Sequence, residues 1–215
     1  MNDDYFAIID KCRRNLTRYT VQAFGLLPVM QQPLVLDAGC GTGESTLALL
    51  KHYGGTFHAA DTDEAALAAF HAKAEQSGSS SRIKIIRASV FDDAFSTGEY
   101  DVVLAEGLLN IVGTEPGLDR LRQLAKPGGY LIIHDQDKND PSKRDLFHER
   151  GLLLLDSFRL DEQVWWDEYF GCLERIVRSS GRRELFQNEL EHIRAYRENP
   201  LENRSIYYIL ENGRQ

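Results

Sequence analysis

Several things are scarce in this chain of 215 residues, and each scarcity narrows what it can be. Only three cysteines occur, Cys12, Cys40 and Cys172, widely separated and without a C-x-x-C pair. That spacing points to a reducing compartment and speaks against a structural zinc. Long apolar runs are missing: the longest, Leu152 to Leu155, is far too short to span a bilayer, and the acidic start M-N-D-D-Y lacks a signal-peptide core. No membrane partner is expected, and the chain reads as cytoplasmic. Basic residues are outnumbered, 25 Lys and Arg against 33 Asp and Glu, for a net charge of −8 that argues against nonspecific nucleic-acid binding. There is no internal repeat, and the only low-complexity piece, Ser77 to Ser81, reads as a surface loop. No Ser-His-Asp arrangement, zinc spacing or G-K-[ST] phosphate loop is found, and no metal site is expected.

What the chain does have is concentrated in Leu34 to Thr46, L-V-L-D-A-G-C-G-T-G-E-S-T. Leu34, Val35 and Leu36 form a short apolar run typical of a buried parallel strand. Gly39, Gly41 and Gly43 follow at alternate positions, and a helix begins near Glu44. Glycines at a strand-to-helix turn permit positive φ and let a ligand approach the main chain. The dinucleotide fingerprint G-x-G-x-x-G would need glycine where Glu44 stands. Asp37, just before the glycines, would repel a pyrophosphate but can accept hydrogen bonds from an ammonium group. The stretch therefore suits a nucleoside with a cationic tail better than NAD. Cys40, inside the loop, reads as a small residue that fits rather than a nucleophile.

The remaining elements alternate. Asp3 to Leu27 is loosely helical. Thr56 to Ala60 is a second strand ending at Asp61, one βαβ step from Asp37 and able to accept both hydroxyls of a ribose. Asp63 is placed to cap a helix over Glu64 to Gln76. Arg82 to Ala88 and Tyr100 to Ala105 are the third and fourth strands. A helix over Leu118 to Ala125 and a turn at Pro127, Gly128 and Gly129 precede a fifth strand, Tyr130 to His134. Ser142 to Arg150 reads as a helix, Leu152 to Phe158 as a sixth strand, and Ser205 to Leu210 as the seventh. Between the last two, a helix capped by Asp161 carries W-W-D-E-Y-F, and another covers Arg182 to Arg197. The whole, 1–215, reads as one domain: an N-terminal helical segment (1–33), a binding core (34–135) and a C-terminal part with a helical insertion (136–215).

The loop matches in full the pattern hh-D-x-G-x-G-x-G and resembles motif I of the class I S-adenosylmethionine (SAM) dependent methyltransferases, of the small type 11/25-like kind. H-A-A-D-T-D resembles the second motif, Y-D-V-V-L-A the fourth-strand motif, A-E-G a variant seen in small members, and L-A-K-P-G-G-Y-L-I-I a further signature. The resemblance covers Leu34 to Asp135 well and the flanks loosely. It implies a Rossmann-like three-layer α/β sandwich with seven mostly parallel strands, the last antiparallel, and a helical insertion before it. It also implies SAM as cofactor, S-adenosylhomocysteine as product, and a small-molecule methyl acceptor. The candidate cofactor-binding residues are Tyr19, Thr20, Asp37, Gly39, Cys40, Gly41, Gly43, Asp61, Thr62, Ser89, Val90 and Glu106. Ser89 stands where many members carry an acid facing the adenine. Glu106, His134 and Asp135 are candidates for proton handling, and Trp165, Trp166 and Tyr169 for an apolar substrate pocket. A non-catalytic SAM- or nucleoside-binding module and an aminopropyl transferase on the same fold are the alternatives. Either a monomer or a homodimer fits.

Overall fold

A computed structural model describes residues 2–181 and 183–213. Helices α1 (Asn2–Arg13) and α2 (Thr17–Gly25) lead into β1 (Leu34–Ala38). There follow α3 (Glu44–His52), β2 (Thr56–Asp61), α4 (Glu64–Gln76), β3 (Ile83–Arg87), β4 (Tyr100–Glu106), α5 (Leu109–Val112), α6 (Thr114–Leu124), β5 (Ala125–Gln136), α7 (Asp140–Glu149) and β6 (Leu152–Leu160). The insertion comprises α8 (Glu162–Trp165), a π-helical turn (Trp166–Phe170), α9 (Gly171–Ser180) and α10 (Gln187–Glu198), and β7 (Ser205–Asn212) closes the chain.

All seven strands form one sheet in the order β3-β2-β1-β4-β5-β7-β6. The pairs among β1 to β5 are parallel, and β7 runs antiparallel between β5 and β6, as expected. The order reverses between β1 and β4. In such sheets a crevice opens at that point beyond the strand C-termini.

Alternation along each strand gives the sheet two faces. Leu36, Val103, Leu131 and Ile133 bury one face against Leu118 and Leu121 of α6 and Phe147 of α7. Val35, Leu104, Ile132 and Ile209 bury the other against Phe24 of α2 and Leu49 of α3. A third core lies above the strand ends, where Ile9 and Cys12 of α1 meet Phe170, Leu173, Val177 and Ile193 of the insertion. Short helices in water are marginal, so this shared apolar face is what stabilises both partners. Together they form a roof.

Local signals hold at several boundaries. Asp63 accepts the N–H groups of Ala65 and Ala66 at 2.9 and 3.1 Å, and Asp161 accepts that of Val164 at 3.0 Å. Other expectations need correction. Helix α6 starts at Thr114, ahead of Leu118, because Gly113 ends α5 and Pro116 falls in the first turn, where its missing N–H costs nothing. Pro127 to Gly129 do not leave the sheet. They belong to β5, whose register against β4 shifts between Tyr100 and Val102, and Gly128 adopts φ +76° there. Most consequential, Cys12 and Cys172 are joined in a disulfide, their Cα atoms 5.7 Å apart. The cysteine argument for a reducing compartment therefore fails: a sequence separation of 160 residues conceals a contact created by packing α1 on α9. Among the described residues no helix is long and apolar enough to cross a membrane, and no three His, Cys, Asp or Glu side chains gather to hold a metal.

Candidate functional site

Beyond the C-terminal ends of β1, β4 and β5, beneath the roof, lies a cavity of about 370 Å³. Its floor is the β1–α3 loop. Gly39, Gly41 and Gly43 take φ of +78°, +52° and +77°, yet they serve different ends. A Cβ on Gly41 would meet nothing within 4 Å. One on Gly39 would lie 3.3 Å from Leu108, and one on Gly43 would be driven into the ring of Phe70. Gly41 thus leaves space facing the cavity, whereas Gly43 lets the loop pack on α4 and does not line it.

The acids and rings come from strand alternation combined with register. Asp37 shares the face of Val35, Glu106 that of Leu104, His134 that of Ile132, and Tyr207 that of Ile209. The β4–β5 register sets Glu106 beside His134, the β5–β7 register sets His134 beside Tyr207, and the β7–β6 register sets Tyr207 beside Phe158. The rings of His134 and Tyr207 stack with centroids 4.0 Å apart and planes 2° apart. Trp165 of the roof lies parallel to His134, at 5.9 Å and 7°. Ser205 Oγ accepts the Trp165 indole N–H at 3.0 Å and lies 2.8 Å from His134 Nε2.

Glu106 accepts hydroxyl hydrogen bonds from Thr20 at 2.7 Å, from Tyr207 at 2.6 Å and from Ser45. None of these donors carries a positive charge. Other acids at the cavity are neutralised: Glu44 by Arg14 at 2.9 Å and Lys73 at 2.7 Å, and Asp135 by Lys143 at 2.6 Å, on the opposite face of the sheet. Burial pushes the Asp37 carboxyl up to about 7; the Thr46 hydroxyl at 2.5 Å opposes the shift, while nearby Glu106 and Asp61 add to it. Burial also lowers His134 below its ordinary value, against the pull of Glu106 and Asp135, so the ring is neutral at pH 7. Burial raises the Cys40 thiol, which leaves it a poor nucleophile.

The structure gathers Thr20, Asp37, Gly39, Cys40, Gly41, Glu106, His134, Asp135, Trp165 and Tyr169 around the cavity. Asp61 stands behind the loop, accepting the N–H of Gly41 at 2.7 Å and of Asp63 at 2.9 Å, which pins the glycine turn. Thr62, Ser89 and Val90 lie past the ends of β2 and β3, outside the cavity. Tyr19 lies outside it too, its hydroxyl accepting from Arg18 at 2.7 Å. Trp166 stacks on Tyr196 at 5.4 Å beneath Arg197 and belongs to the roof's own core. Arg13, Ser45, Asn110, Ser205 and Tyr207 line the cavity although sequence reasoning passed over them. For Tyr207 the period-two pattern of S-I-Y-Y-I-L offered a face but no neighbour; for Arg13 the sequence carries no signal.

Residues 35–129 match the family described as Methyltransferase domain. Over 124 residues the chain is 28% identical to the ubiquinone/menaquinone biosynthesis C-methyltransferase UbiE of Shewanella oneidensis, covering 56% of this chain and 48% of that protein. The chain spans less than half the length of such curated relatives. A SAM-dependent methyltransferase of Geobacter sulfurreducens, solved with S-adenosylhomocysteine, superposes with a TM-score of 0.70 over 89% of each chain at 17% identity. The [4+2]-cyclase SpnF superposes with a TM-score of 0.77, covering 93% of this chain and 82% of that one, at 14% identity. These two structural likenesses are likenesses of fold.

Proposed function

We propose that this chain, which by its fold and its matching segment belongs to the class I SAM-dependent methyltransferases, transfers a methyl group from SAM to a small-molecule acceptor held in the same cavity. One observation carries the reading: at the switch point of the sheet, a glycine turn with open space over Gly41 faces two carboxylates, Asp37 and Glu106, that have no basic partner among the described residues. A pyrophosphate would be repelled there, and a cofactor carrying ammonium and sulfonium charges is attracted. Bound SAM supplies an electrophilic methyl group on sulfur, and a lone pair of the acceptor takes it as the sulfur–carbon bond breaks with its electrons left on sulfur.

In this reading the chain's own residues bind and orient. Asp37 faces the cofactor's ammonium group. Asp61 spends one lone pair of each oxygen on backbone N–H groups and keeps others for the ribose hydroxyls. Thr62, Ser89 and Val90 border the adenine side, and Arg13 at the rim suits the carboxylate. Trp165 and Tyr169 wall the acceptor side, where orientation of the nucleophile supplies most of the rate. The net charge of −8 supports a small acceptor rather than a nucleic acid. Calorimetric titration with S-adenosylhomocysteine, followed by mass-spectrometric detection of its release from SAM with pooled small acceptors, tests the reading. Absence of binding overturns it; binding without release from any pool favours the non-catalytic alternative.

A further inference from the structure

We propose that the methyl acceptor is an amine, drawn in as an ammonium ion by Glu106 and seated against the rings of Trp165 and Tyr169. This rests on the methyltransferase reading above. Charge balance is the first ground. Four carboxylates line the cavity: Asp37, Glu44, Glu106 and Asp135. Glu44 and Asp135 have lysine or arginine partners, and Asp37 is buried at 3% exposure under the glycine loop with Thr46. Glu106 is held by three hydroxyls from α2, α3 and β7, which orient its carboxylate without neutralising it. A carboxylate has about four lone-pair sites, so three donors leave room for one more N–H. Glu106 is half-buried, and a carboxylate partly withdrawn from water without a countercharge gains from a cationic ligand.

The wall is the second ground, independent of the first. Trp165 and Tyr169 meet edge to face, centroids 6.3 Å apart and planes at 86°, while Tyr207, stacked between His134 and Phe158, presents only its hydroxyl edge. Aromatic faces attract ammonium ions most strongly when the cation is desolvated. Among the described residues the only lysine or arginine lining the cavity is Arg13. A carboxylate acceptor would face Glu106 with like charge, and a neutral alcohol would leave it unpaired.

The same constellation completes the chemistry. An ammonium nitrogen must shed a proton before it has a lone pair. In the tautomer whose Nε2–H donates to Ser205 Oγ, Nδ1 of His134 carries the lone pair that takes this proton. The nitrogen–carbon bond then forms as the sulfur–carbon bond breaks, the bonding pair goes to sulfur, and the positive charge moves from sulfur to nitrogen. Glu106 therefore faces a cation before and after transfer.

The test titrates the protein saturated with S-adenosylhomocysteine with tetramethylammonium and with its neutral isostere tert-butanol, at constant ionic strength. Calorimetry and the fluorescence of the two tryptophans, Trp165 and Trp166, report binding. Tetramethylammonium should bind at least about tenfold more tightly than tert-butanol, and Glu106→Gln should remove at least about that factor. Trp165→Leu leaves the three hydroxyl donors of Glu106 in place, should weaken the cation roughly two- to thirtyfold, and serves if the Glu106 variant does not fold. Equal affinity for the neutral isostere, or variants that bind the cation like the parent, overturns the amine. If S-adenosylhomocysteine itself does not bind, the methyltransferase reading falls instead. The cation titration then runs on the unliganded protein, where binding that depends on Glu106 upholds the ammonium site and binding that does not refutes it.

Discussion

Replacing Gly41 and Gly43 separately by alanine separates a glycine kept for a ligand from one kept for packing. Both hold left-handed φ, +52° and +77°, where an L-residue is disfavoured by about 1–2 kcal/mol. At Gly41 that strain is the whole cost, because a Cβ there meets nothing within 4 Å. At Gly43 the Cβ enters the ring of Phe70, a side chain with no exposed surface, and overpacking adds about 1–3 kcal/mol. The totals are about 1–2 kcal/mol for Gly41→Ala and about 2–5 kcal/mol for Gly43→Ala. For a chain of this size each kcal/mol lowers Tm by about 2–4 °C, which gives losses of roughly 2–8 °C and roughly 4–20 °C. Affinity for S-adenosylhomocysteine should change in the opposite order. Gly41→Ala fills ligand space and should cost at least about tenfold, whereas folded Gly43→Ala should stay within about threefold of the parent. Phe70→Ala added to Gly43→Ala should restore part of the lost stability, since the two side chains meet, and should restore none to Gly41→Ala. Thermal melts and calorimetry on the five proteins suffice. Equal melts and equal affinity losses at the two glycines would refute the assignment.

Three further outcomes follow from the geometry. With its folded pKa raised to about 7, Asp37 contributes stability that is fully present below about pH 4 and is lost as pH rises through about 7. A cationic ligand favours the ionised form, so cofactor affinity should rise from about pH 6 to about pH 8 with proton release on binding. Asp37→Asn should abolish that release in buffers of differing ionisation heat; unchanged release excludes Asp37 as its source. Reducing the Cys12–Cys172 bridge, which closes a loop of 160 residues, should cost up to about 5 kcal/mol by chain entropy, read as a lower guanidinium midpoint that Cys12→Ser reproduces; identical midpoints with and without reductant would show no contribution. Trp165→Ala should impair turnover of the true acceptor with cofactor affinity nearly intact. Trp166→Ala, stacked on Tyr196 away from the cavity, should chiefly lower Tm, since a buried tryptophan is worth about 3–5 kcal/mol and a half-buried one less; the reverse pattern would reject the division.

Sequence alone determined the elements whose causes are local. Apolar runs and turn residues marked the seven strands. Asp63 and Asp161 marked helix starts through caps that reach only two or three residues. Asp37 and the glycines announced a turn at a strand end, because positive φ and a nearby acid are properties of one short segment.

Only tertiary structure decided which of these stand together. Glu106, His134 and Tyr207 become neighbours through the registers of β4 on β5 and β5 on β7, which pair residues far apart in the chain and depend on the order β1-β4-β5-β7. The work of each glycine rests on what a Cβ would meet, Phe70 or open space, and Phe70 belongs to another helix. Trp165 and Trp166 are adjacent in sequence, yet one lines the cavity and the other stacks within the roof. Cys12 and Cys172 had no local signal, since their meeting is a consequence of α1 burying its apolar face against α9. Propensity, caps and alternation act over a few residues and can be read along the chain. Charge compensation, ring stacking and the shape of a cavity depend on distances that exist only once the sheet is assembled.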